Sequence, residues 1–292
     1  MSAILVAGGA RDPNLVAVIK TLQEKGIVVV PLLIDAGENP ALHWNLNTAD
    51  IVLNHTPLAC SGVFLRRDVF HENDTDAAYR AAAWFAAIQG WLLACPQVRI
   101  LNRAYLGKHT NKLRVLQLAR QAGLLIPDTL ISNDINNIEL LNKANELVAK
   151  PVTGGGYCQS IDALLSETEL QDGISATPAI VQHNITGPDV RIYAVDDQFL
   201  GFQIHADKID YRESRNRHIE TFDPLPERIT EAMRHLMTKM GLDWCAADFK
   251  LDPKSGQFFF LEINSNPMFS AFDKVAHGAI TGAIADFLTI SA

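Results

Sequence analysis

The beginning of the chain alternates strand-sized apolar runs with helical segments, and this alternation restricts the fold more than any other feature. Residues 3–7 form a short apolar run that ends at two glycines. Residues 14–25 place apolar side chains on one helical face, and residues 27–34 are rich in β-branched side chains. Strands that alternate with helices form mostly parallel sheets, so the pattern predicts an α/β domain at residues 1–105.

Periodicity and turn composition predict the remaining elements. Helices are predicted at residues 75–94, 110–122, 135–147, 226–240 and 274–288. Strands are predicted at residues 51–53, 63–65, 147–151, 179–182, 190–195, 199–204, 245–251 and 257–263. Asp196-Asp197 has the composition of a hairpin turn, and Asp273 is the expected N-cap of the last helix.

Composition limits the classes of protein to which the chain can belong. Its 292 residues are 48% apolar and 20% charged, which is typical of a folded globular protein. The net charge of −8 repels a phosphate backbone, so we expect no nucleic-acid partner. No apolar run reaches the ~18 residues of a membrane span, and the first residues lack the basic region of a signal peptide. We therefore expect a cytoplasmic protein without a membrane partner.

Several familiar catalytic signatures are absent from the sequence. It contains neither the P-loop pattern Gly-x-x-x-x-Gly-Lys-Ser/Thr nor the dinucleotide pattern Gly-x-Gly-x-x-Gly. It also lacks His-Glu-x-x-His and Gly-x-Ser-x-Gly. Four scattered cysteines include no Cys-x-x-Cys pair and define no disulfide framework.

Three side chains with oxygen ligands fall on one face of a predicted hairpin near the end of the chain. Both registers that the turn at residues 252–256 allows pair even-numbered residues with each other, so Asp248, Glu262 and Asn264 share a face. The residues expected on the opposite, apolar face are Phe249, Leu251, Leu261 and Ile263. Mg²⁺ takes carboxylate oxygens together with phosphate and water oxygens. The alternative is a solvent-facing polar surface, but the run Glu-Ile-Asn-Ser-Asn-Pro favours the metal site.

A lysine followed by a glycine-rich segment is a second candidate for binding chemistry. Lys150 ends an apolar strand, and Gly154, Gly155 and Gly156 follow it. Glycines let backbone N–H groups approach phosphate oxygens closely, and the lysine adds a positive charge. Lys112 lies near the start of a predicted helix, where the helix dipole also favours anions. Taken alone, the glycines are typical of a mobile turn and Lys112 of a surface lysine.

Arginines accompany these features at two places. Asp189 and Arg191 are two residues apart in a strand and so share a face. Asp210 and Arg212 belong to a charged run that is more often a solvated loop. In an acidic protein, arginines beside a metal and phosphate site nevertheless suggest stabilisation of a transferring phosphoryl group.

Arg66 and Arg67 follow an apolar strand in the amino-terminal region. One interpretation is a contact with an acidic peptide, and an ion-paired strand end is the equally weighted alternative.

Taken in chain order, these features resemble those of the ATP-grasp ligases. The residues that carry the resemblance are Lys112, Lys150 with its glycines, Gln182, Asp189-Val190-Arg191, Asp210-Tyr211-Arg212, Asp248 and Glu262-Ile263-Asn264-Ser265-Asn266-Pro267. They lie within residues 105–292. The pattern is most similar to the branch that holds the ribosomal-protein glutamate ligases and the graspetide synthetases, which form ω-ester or ω-amide bonds in peptides. Residues 111–134 look especially like the graspetide enzymes.

The resemblance implies an α/β protein with the ATP-grasp fold and an amino-terminal Rossmann-like pre-grasp domain. That domain would cover residues 1–105. A small ATP-grasp subdomain with the glycine-rich loop would cover residues 106–205, and a carboxy-terminal subdomain with the magnesium site would cover residues 206–292.

The resemblance also implies a role for each candidate residue. The residues expected to bind ATP are Lys112, Lys150, Gly154, Gly155, Gly156, Gln182, His183, Asn184 and Asp189. The residues expected to bind Mg²⁺, or Mn²⁺ in its place, are Asp248, Glu262 and Asn264. Arg191 and Arg212 would act in catalysis by steadying the γ-phosphate and an acyl-phosphate. One departure is His183, since the family commonly has glutamate after the hinge glutamine.

The function implied is an ATP-dependent carboxylate-amine or carboxylate-hydroxyl ligase that acts through an acyl-phosphate on a small molecule, peptide or protein. The alternative is a nucleotide-binding regulator with the same fold and no turnover, which a missing lysine or metal ligand would favour. A purely structural protein leaves the polar face at residues 248, 262 and 264 without a cause. The sequence leaves a homodimer open.

Overall fold

The amino-terminal apolar runs form a four-stranded parallel sheet in the order β2-β1-β6-β7. The structure is a computed structural model that describes residues 3–35, 39–48, 50–70, 74–108, 110–141, 147–153 and 156–290. The elements of the amino-terminal region are β1 Ala3–Gly9, α1 Pro13–Glu24, β2 Val29–Ile34, β3 Leu42–Trp44, β4 Ile51–Leu53, β5 Thr56–Pro57, β6 Cys60–Leu65, α2 Thr75–Ala94 and β7 Arg99–Ile100. The predicted parallel sheet is therefore present.

The strand predicted at residues 51–53 lies outside that sheet. It is β4 of a separate small sheet in the order β3-β4-β5. Asn54 and His55 both have left-handed backbone angles, with φ of 48° and 63°. Two such residues in succession make a tight hairpin turn, so β4 pairs antiparallel with β5 instead of joining a parallel sheet.

Two antiparallel five-stranded sheets follow. The elements of the smaller unit are α3 Lys112–Gln121, β8 Thr129–Asp134, α4 Ile135–Leu141, β9 Leu147–Pro151, β10 Gln159–Ser160, α5 Ile161–Glu167, β11 Leu170–Gln171 and β12 Ile174–His183. Those of the larger unit are β13 Asp189–Val195, β14 Gln198–His205, β15 His218–Thr221, α6 Glu227–Met240, β16 Trp244–Leu251, β17 Phe258–Asn264, α7 Ser270–Val275 and α8 Ala279–Thr289. We name the sheet of β8–β12 the small sheet and the sheet of β13–β17 the large sheet.

The sheets divide the chain differently from the predicted boundary at residue 205. Strands β13 and β14 precede that residue, yet they pair within the order β15-β14-β13-β16-β17. Their hydrogen bonds to β15 and β16 tie them to the second half of the chain. The division between the two sheets therefore falls in residues 184–188.

The carboxy-terminal helix is shorter than predicted. Helix α7 ends at Val275, and His277 and Gly278 take positive φ of 52° and 86° before α8 begins. Asp273 is buried inside α7 instead of preceding a helix, and its carboxylate accepts hydrogen bonds at 3.0 Å from the backbone N and the Oγ1 of Thr281. It therefore caps α8 from the preceding helix.

The core joins the beginning and the end of the chain. Helices α1, α7 and α8 fill the space between the parallel sheet and one face of the large sheet, where Ile4, Leu15, Phe202 and Ile284 are fully buried. Helices α3 and α6 cover the other face of the large sheet. Among the residues that the structure describes, no helix has both the length and the apolarity of a membrane span.

Candidate active site

A cleft between the small sheet and the large sheet brings together most of the predicted site residues. Those that line it are Lys112, Lys150, Gly156, Gln182, His183, Asn184, Asp189, Arg212, Asp248 and Glu262. The cleft and its mouth together hold about 750 Å³ that no protein atom occupies, open solvent included. Gly154 and Gly155 lie outside the described residues, and Asn264 lines an adjoining cavity that shares Lys112, Lys150 and Glu262 with the cleft.

The strand register places the oxygen-bearing side chains of the large sheet on one face. Asp248 pairs directly with Glu262, and Asn264 pairs with the residue two positions before Asp248. Beyond Asp248 the register shifts by one residue, so Phe249 pairs with Phe260 and Leu261 is the extra residue of a β-bulge.

The bulge corrects the prediction that Leu261 faces the apolar core. Phe260 takes that position and is fully buried, whereas Leu261 lines the cleft. A one-residue insertion reverses the face of every later position until the register is restored. Leu261 is therefore a cleft residue that periodicity alone assigns to the wrong side.

Asp248 is buried and ion-paired. Arg191 Nη1 lies 2.8 Å from both Asp248 carboxylate oxygens. Burial raises the pKa of the Asp248 carboxyl, Arg191 opposes that shift, and the charge of Glu262 adds to it. The contact with Arg191 thus holds the Asp248 side chain in place at the cleft.

The donor set at this position fits a hard divalent cation. Asp248, Glu262 and Asn264 supply only oxygen atoms, which are the ligands that Mg²⁺ prefers. Asn264 Oδ1 also accepts a hydrogen bond from the Asn266 backbone N at 2.9 Å, which fixes the direction of its amide. Among the described residues, no three Asp, Glu, His or Cys side chains group as a metal site, and the assignment of the Asn264 amide as the third ligand stays a prediction.

Arg191 lies behind Asp248 rather than among the residues that line the cleft. Its side chain is buried, Nε donates to Tyr193 Oη at 2.9 Å, and Nη1 donates to Tyr211 Oη at 2.8 Å. With these partners its guanidinium orients Asp248. The predicted contact of Arg191 with a transferring phosphate stays a prediction.

Two lysines line the same cleft as the acidic side chains, Lys150 from the small sheet and Lys112 from the start of α3. Lys150 lies on β9, and its Nζ donates to the Leu261 carbonyl oxygen at 3.3 Å. Burial lowers the pKa of the Lys150 ammonium, while Glu262 opposes that shift. Lys112 is the first residue of α3, whose Asn111 N-cap accepts a hydrogen bond from Arg114 N at 3.0 Å. The positive charges of these two lysines therefore favour an anion in the cleft.

The segment at the end of β12 forms a partly apolar end of the cleft. Gln182 is buried, and its Nε2 donates to Thr129 Oγ1 at 2.9 Å. His183 and Asn184 line the cleft next to it. The apolar residues that line the cleft are Pro127, Val148, Ile185, Ile209 and Leu261. Such a surface suits a flat aromatic ring with polar edges.

Asp189 has a partner that the sequence analysis did not identify. Lys250 Nζ lies 2.9 Å from Asp189 Oδ2 across β13 and β16. Burial raises the pKa of the Asp189 carboxyl, and Lys250 opposes that shift. Lys250 lines the cleft as well, and its even-numbered place on β16 next to Asp248 is the sequence signal that indicates it.

Arg212 connects the large-sheet side of the cleft to the segment after the glycines. Its Nε and Nη2 donate to Asp210 at 2.8 and 2.6 Å, and its guanidinium lies 5.5 Å from the ring centre of Tyr157. Asp210 also accepts a hydrogen bond from the backbone N of Cys158 at 3.2 Å. Asp210 thus joins the Arg212 segment to the residues that follow the glycine-rich loop, a role that the sequence analysis did not assign.

The two arginines of the amino-terminal region have different environments. Arg66 is buried and ion-paired with Asp12, so the ion-paired alternative describes it. Arg67 is exposed and lines a separate cavity together with Phe85, Tyr105 and Lys108.

Comparisons with known proteins identify the fold. No family model and no curated protein matches the chain. Among solved structures, the ATP-grasp ligase PsnB with minimal precursor, Mg and ADP has a TM-score of 0.78 and 25% identity over 99% of this chain and 96% of that chain. The macrocyclase MdnC of Microcystis aeruginosa MRC, bound with precursor peptide MdnA, has a TM-score of 0.71 and 23% identity over 99% of both chains. The VanG D-Ala:D-Ser ligase of Enterococcus faecalis has a TM-score of 0.59 and 17% identity over 99% of this chain and 98% of that chain. The chain therefore has the ATP-grasp fold.

Proposed function

We propose that this protein is an ATP-dependent ligase that joins a carboxylate to an amine or a hydroxyl on a peptide, with release of ADP and phosphate. The observation that carries the proposal is the arrangement in one cleft, which Asp248 and Glu262 of the large sheet line together with Lys150 of the small sheet and Lys112 of α3. Oxygen ligands for a cation together with two ammonium groups are the arrangement that a metal-bound polyphosphate requires. The fold supports the same function, because similar structures are ATP-grasp ligases.

Each part of ATP would meet a complementary part of the cleft. The apolar surface that includes Val148 and Leu261 would hold the adenine, and Gln182 and Asn184 supply polar groups at its edge. Lys112 and Lys150 would bind the phosphates, and Gly154–156 would cover them. Asp189 would lie near the ribose side of the nucleotide.

Asp248, Glu262 and Asn264 would hold Mg²⁺ or Mn²⁺ on the phosphates. The ion neutralises charge on the transferring group when bound. Because Arg191 neutralises part of the charge of Asp248, it keeps that carboxylate in place before the cation arrives.

The reaction has two steps. An oxygen of the substrate carboxylate forms a bond to the γ-phosphorus, the bond from that phosphorus to the bridging oxygen breaks, and ADP leaves. The amine nitrogen or hydroxyl oxygen then attacks the carbonyl carbon of the acyl-phosphate, loses its proton, and displaces phosphate. Arg212 lines the cleft and would stabilise charge on the transferring phosphoryl group.

We assign a peptide with acidic side chains as the substrate. The cavity that contains the exposed Arg67 and Lys108 also includes Ser265 and Asn266, which directly follow the cation ligand Asn264. A peptide held there by its carboxylates would reach the transferring phosphate. Two similar structures, PsnB and MdnC, contain precursor peptides.

The same proposal includes the organisation and location of the chain. Residues 1–105 would form a Rossmann-like pre-grasp domain, residues 106–184 the small ATP-grasp subdomain, and the remainder the carboxy-terminal subdomain. A cytoplasmic location follows from the ATP supply and is part of the proposal.

The proposal is tested by incubating the pure protein with ATP, Mg²⁺ and acidic peptides. A short reading frame next to the gene, rich in Asp or Glu and in Thr, Ser or Lys, would provide the peptide. We expect ADP release and a product peptide that has lost one water for each bond formed. ATP binding without ADP release in the presence of every peptide and acceptor would instead support the nucleotide-binding regulator.

A further inference from the structure

Arg66, at the end of β6, makes contacts that link two distant parts of the chain. Only 2% of its surface is exposed. Nε donates to Asp12 Oδ2 at 2.6 Å, and Nη1 donates to both Asn266 Oδ1 and the Pro267 carbonyl oxygen at 2.8 Å. One edge of the guanidinium therefore holds the loop after β1, and Nη1 holds the segment that follows β17.

The first turn of α1, which follows Asp12, holds the same segment directly. Asn14 Oδ1 accepts hydrogen bonds from the backbone N of Phe269 at 2.7 Å and from that of Ser270 at 2.8 Å. Asp12, which is completely buried, accepts from the Asn14 side chain at 2.6 Å. Residues 266–270 are therefore bound by Arg66 and by Asn14, and Asp12 contacts both of these side chains.

This arrangement reaches the cation site through Asn266. The Asn266 side chain is held by Arg66, and its backbone N donates to Asn264 Oδ1 at 2.9 Å. A fixed Asn266 backbone selects the direction of the Asn264 amide at the end of β17. Outer-shell contacts of this kind orient the groups that bind a metal directly.

We propose that Arg66 is a positioning residue for the cation ligand Asn264 and acts on it through Asn266. The inference rests on the proposed function, because it takes Asn264 as a ligand of the divalent cation. Stability alone gives a weak reason for a buried Arg–Asp pair, since an apolar pair of similar volume is often equally stable. The planar guanidinium supplies what an apolar residue cannot, namely donors aimed at Asp12 and at Asn266 together.

Arg66→Lys separates the pairing with Asp12 from the contact with Asn266. Lysine keeps a positive charge beside Asp12, but its single ammonium cannot reproduce the fork that reaches Asn266 and the Pro267 carbonyl as well. Asn266→Ala removes the connection from the other end and leaves the Arg66–Asp12 pair intact. Asn266 is exposed, so this variant keeps the fold even if Arg66→Lys does not.

Arg103→Lys is the matched control. Arg103 is also partly buried, and its guanidinium donates to three backbone carbonyls, those of Leu92 at 2.7 Å, Cys95 at 3.3 Å and Val98. These partners lie between the end of α2 and β7, and none of them belongs to the segment after β17. Its replacement costs stability without touching the cation ligands.

The experiment measures Mn²⁺ affinity by electron paramagnetic resonance with ADP present, nucleotide affinity by calorimetry in EDTA, and melting temperature. We expect Arg66→Lys and Asn266→Ala each to weaken Mn²⁺ binding about 10-fold, the lower end of the effect of outer-shell residues. Nucleotide affinity in EDTA should stay at the wild-type value. The double variant should bind Mn²⁺ no more weakly than either single variant, because both break one chain of contacts.

Two outcomes would overturn the inference. Wild-type Mn²⁺ affinity in Asn266→Ala would remove the connection to Asn264. An equal loss of Mn²⁺ affinity in Arg103→Lys would make the effect one of general stability. If the wild-type protein itself bound no Mn²⁺ and released no ADP, the proposed function would fail first, so the two failures are distinguishable.

Discussion

The two sheets that enclose the cleft both have five strands, but they are packed very differently. The large sheet is covered on both faces, and Tyr193, Phe202, Phe249 and Phe260 are completely buried within it. Among the described residues, the buried core beside the small sheet comprises Ile138, Leu147, Ala149, Ile161 and Val181. Two of its strands, β10 and β11, have only two residues each.

This difference separates the two tasks of the site. Local opening costs least where few apolar groups are buried, so the small sheet should open far more readily than the large sheet. The proposed cation ligands lie on the tightly packed sheet, whereas Lys150 and the glycine-rich segment that follows it belong to the lightly packed one. A tightly packed sheet can hold metal ligands in a fixed geometry. A sheet that opens readily allows a nucleotide to enter and leave the cleft.

We expect the largest loss of activity when a proposed cation ligand on the large sheet is removed. We expect Glu262→Ala to reduce ADP formation by more than the ~100-fold that outer-shell residues reach, because a direct ligand is lost and the sheet cannot move to replace it. Circular dichroism should show an unchanged fold. Glu220→Ala, an exposed glutamate of the same sheet, is the control and should keep full activity. Wild-type turnover in a folded Glu262→Ala protein would refute the cation assignment.

Substitutions of Arg212 test its role in the transfer of the phosphoryl group. Arg212→Ala should lower the rate of ADP release by about 100-fold while ATP affinity falls much less, because charge on the transferring group develops only in the transition state. Arg212→Lys should recover part of the loss, since lysine lacks the planar fork.

Arg234→Ala is the control for Arg212. Arg234 likewise pairs with an aspartate, at 2.9 Å from Asp197, and lies 4.9 Å from the ring centre of Phe199, but it lines no part of the cleft. Its loss should leave turnover unchanged. Equal losses of ATP affinity and rate in Arg212→Ala would make Arg212 a plain nucleotide contact.

The contribution of the two cleft lysines to ATP binding can be measured directly. Lys150→Ala and Lys112→Ala should each weaken ATP binding by roughly 10- to 100-fold, the equivalent of one charge-assisted hydrogen bond. Calorimetry measures the affinity, and the melting temperature should change little. Lys254→Ala, in the exposed turn before β17, provides the comparison. Unchanged affinity in both site variants would remove the two lysines from the nucleotide site.

The labelling rates of two cysteines measure the packing of the two sheets directly. We expect this effect to be the smallest. Cys158 lines the cleft next to β10, whereas Cys245 is buried in β16, and burial raises the pKa of its thiol to about 12. Maleimide should label Cys158 slowly in the native protein, faster as pH rises, because burial also raises the pKa of this thiol and the thiolate is the reactive form.

ATP with Mg²⁺ should slow the labelling of Cys158 several-fold by filling the cleft. Cys245 should react only when the protein unfolds. Mass spectrometry after a timed pulse identifies the labelled thiol. Comparable native labelling of both thiols would contradict the difference in packing that separates the two sheets.

Sequence periodicity predicted the shared face of Asp248, Glu262 and Asn264, because the alternation of strand side chains holds in either register of the hairpin. The bulge at Leu261 lay beyond that reasoning, since one inserted residue leaves no mark on local composition. The break between α7 and α8 was also missed, because the apolar pattern continues across His277 and Gly278.

The partners of the arginines could not be read from the chain at all. Arg66 meets Asn266 across 200 residues of sequence, and Arg191 meets Asp248 across 57. Such contacts depend on how whole sheets pack, which local propensity does not encode. The resemblance in the order of motifs predicted which residues gather at the cleft, and the structure was needed to find what holds them.

The position of α8 has a consequence for the synthesis of the protein. This helix packs against α1 and β6, where Ile280 and Leu288 are buried with Ile4 and Leu22, so the last helix completes the core of the first sheet. A chain emerging from the ribosome exposes that apolar face until α8 has been made, because the residues that cover it lie more than 200 positions later in the sequence. Nascent chains of this protein should therefore depend on chaperones that shield apolar surface until α8 is released.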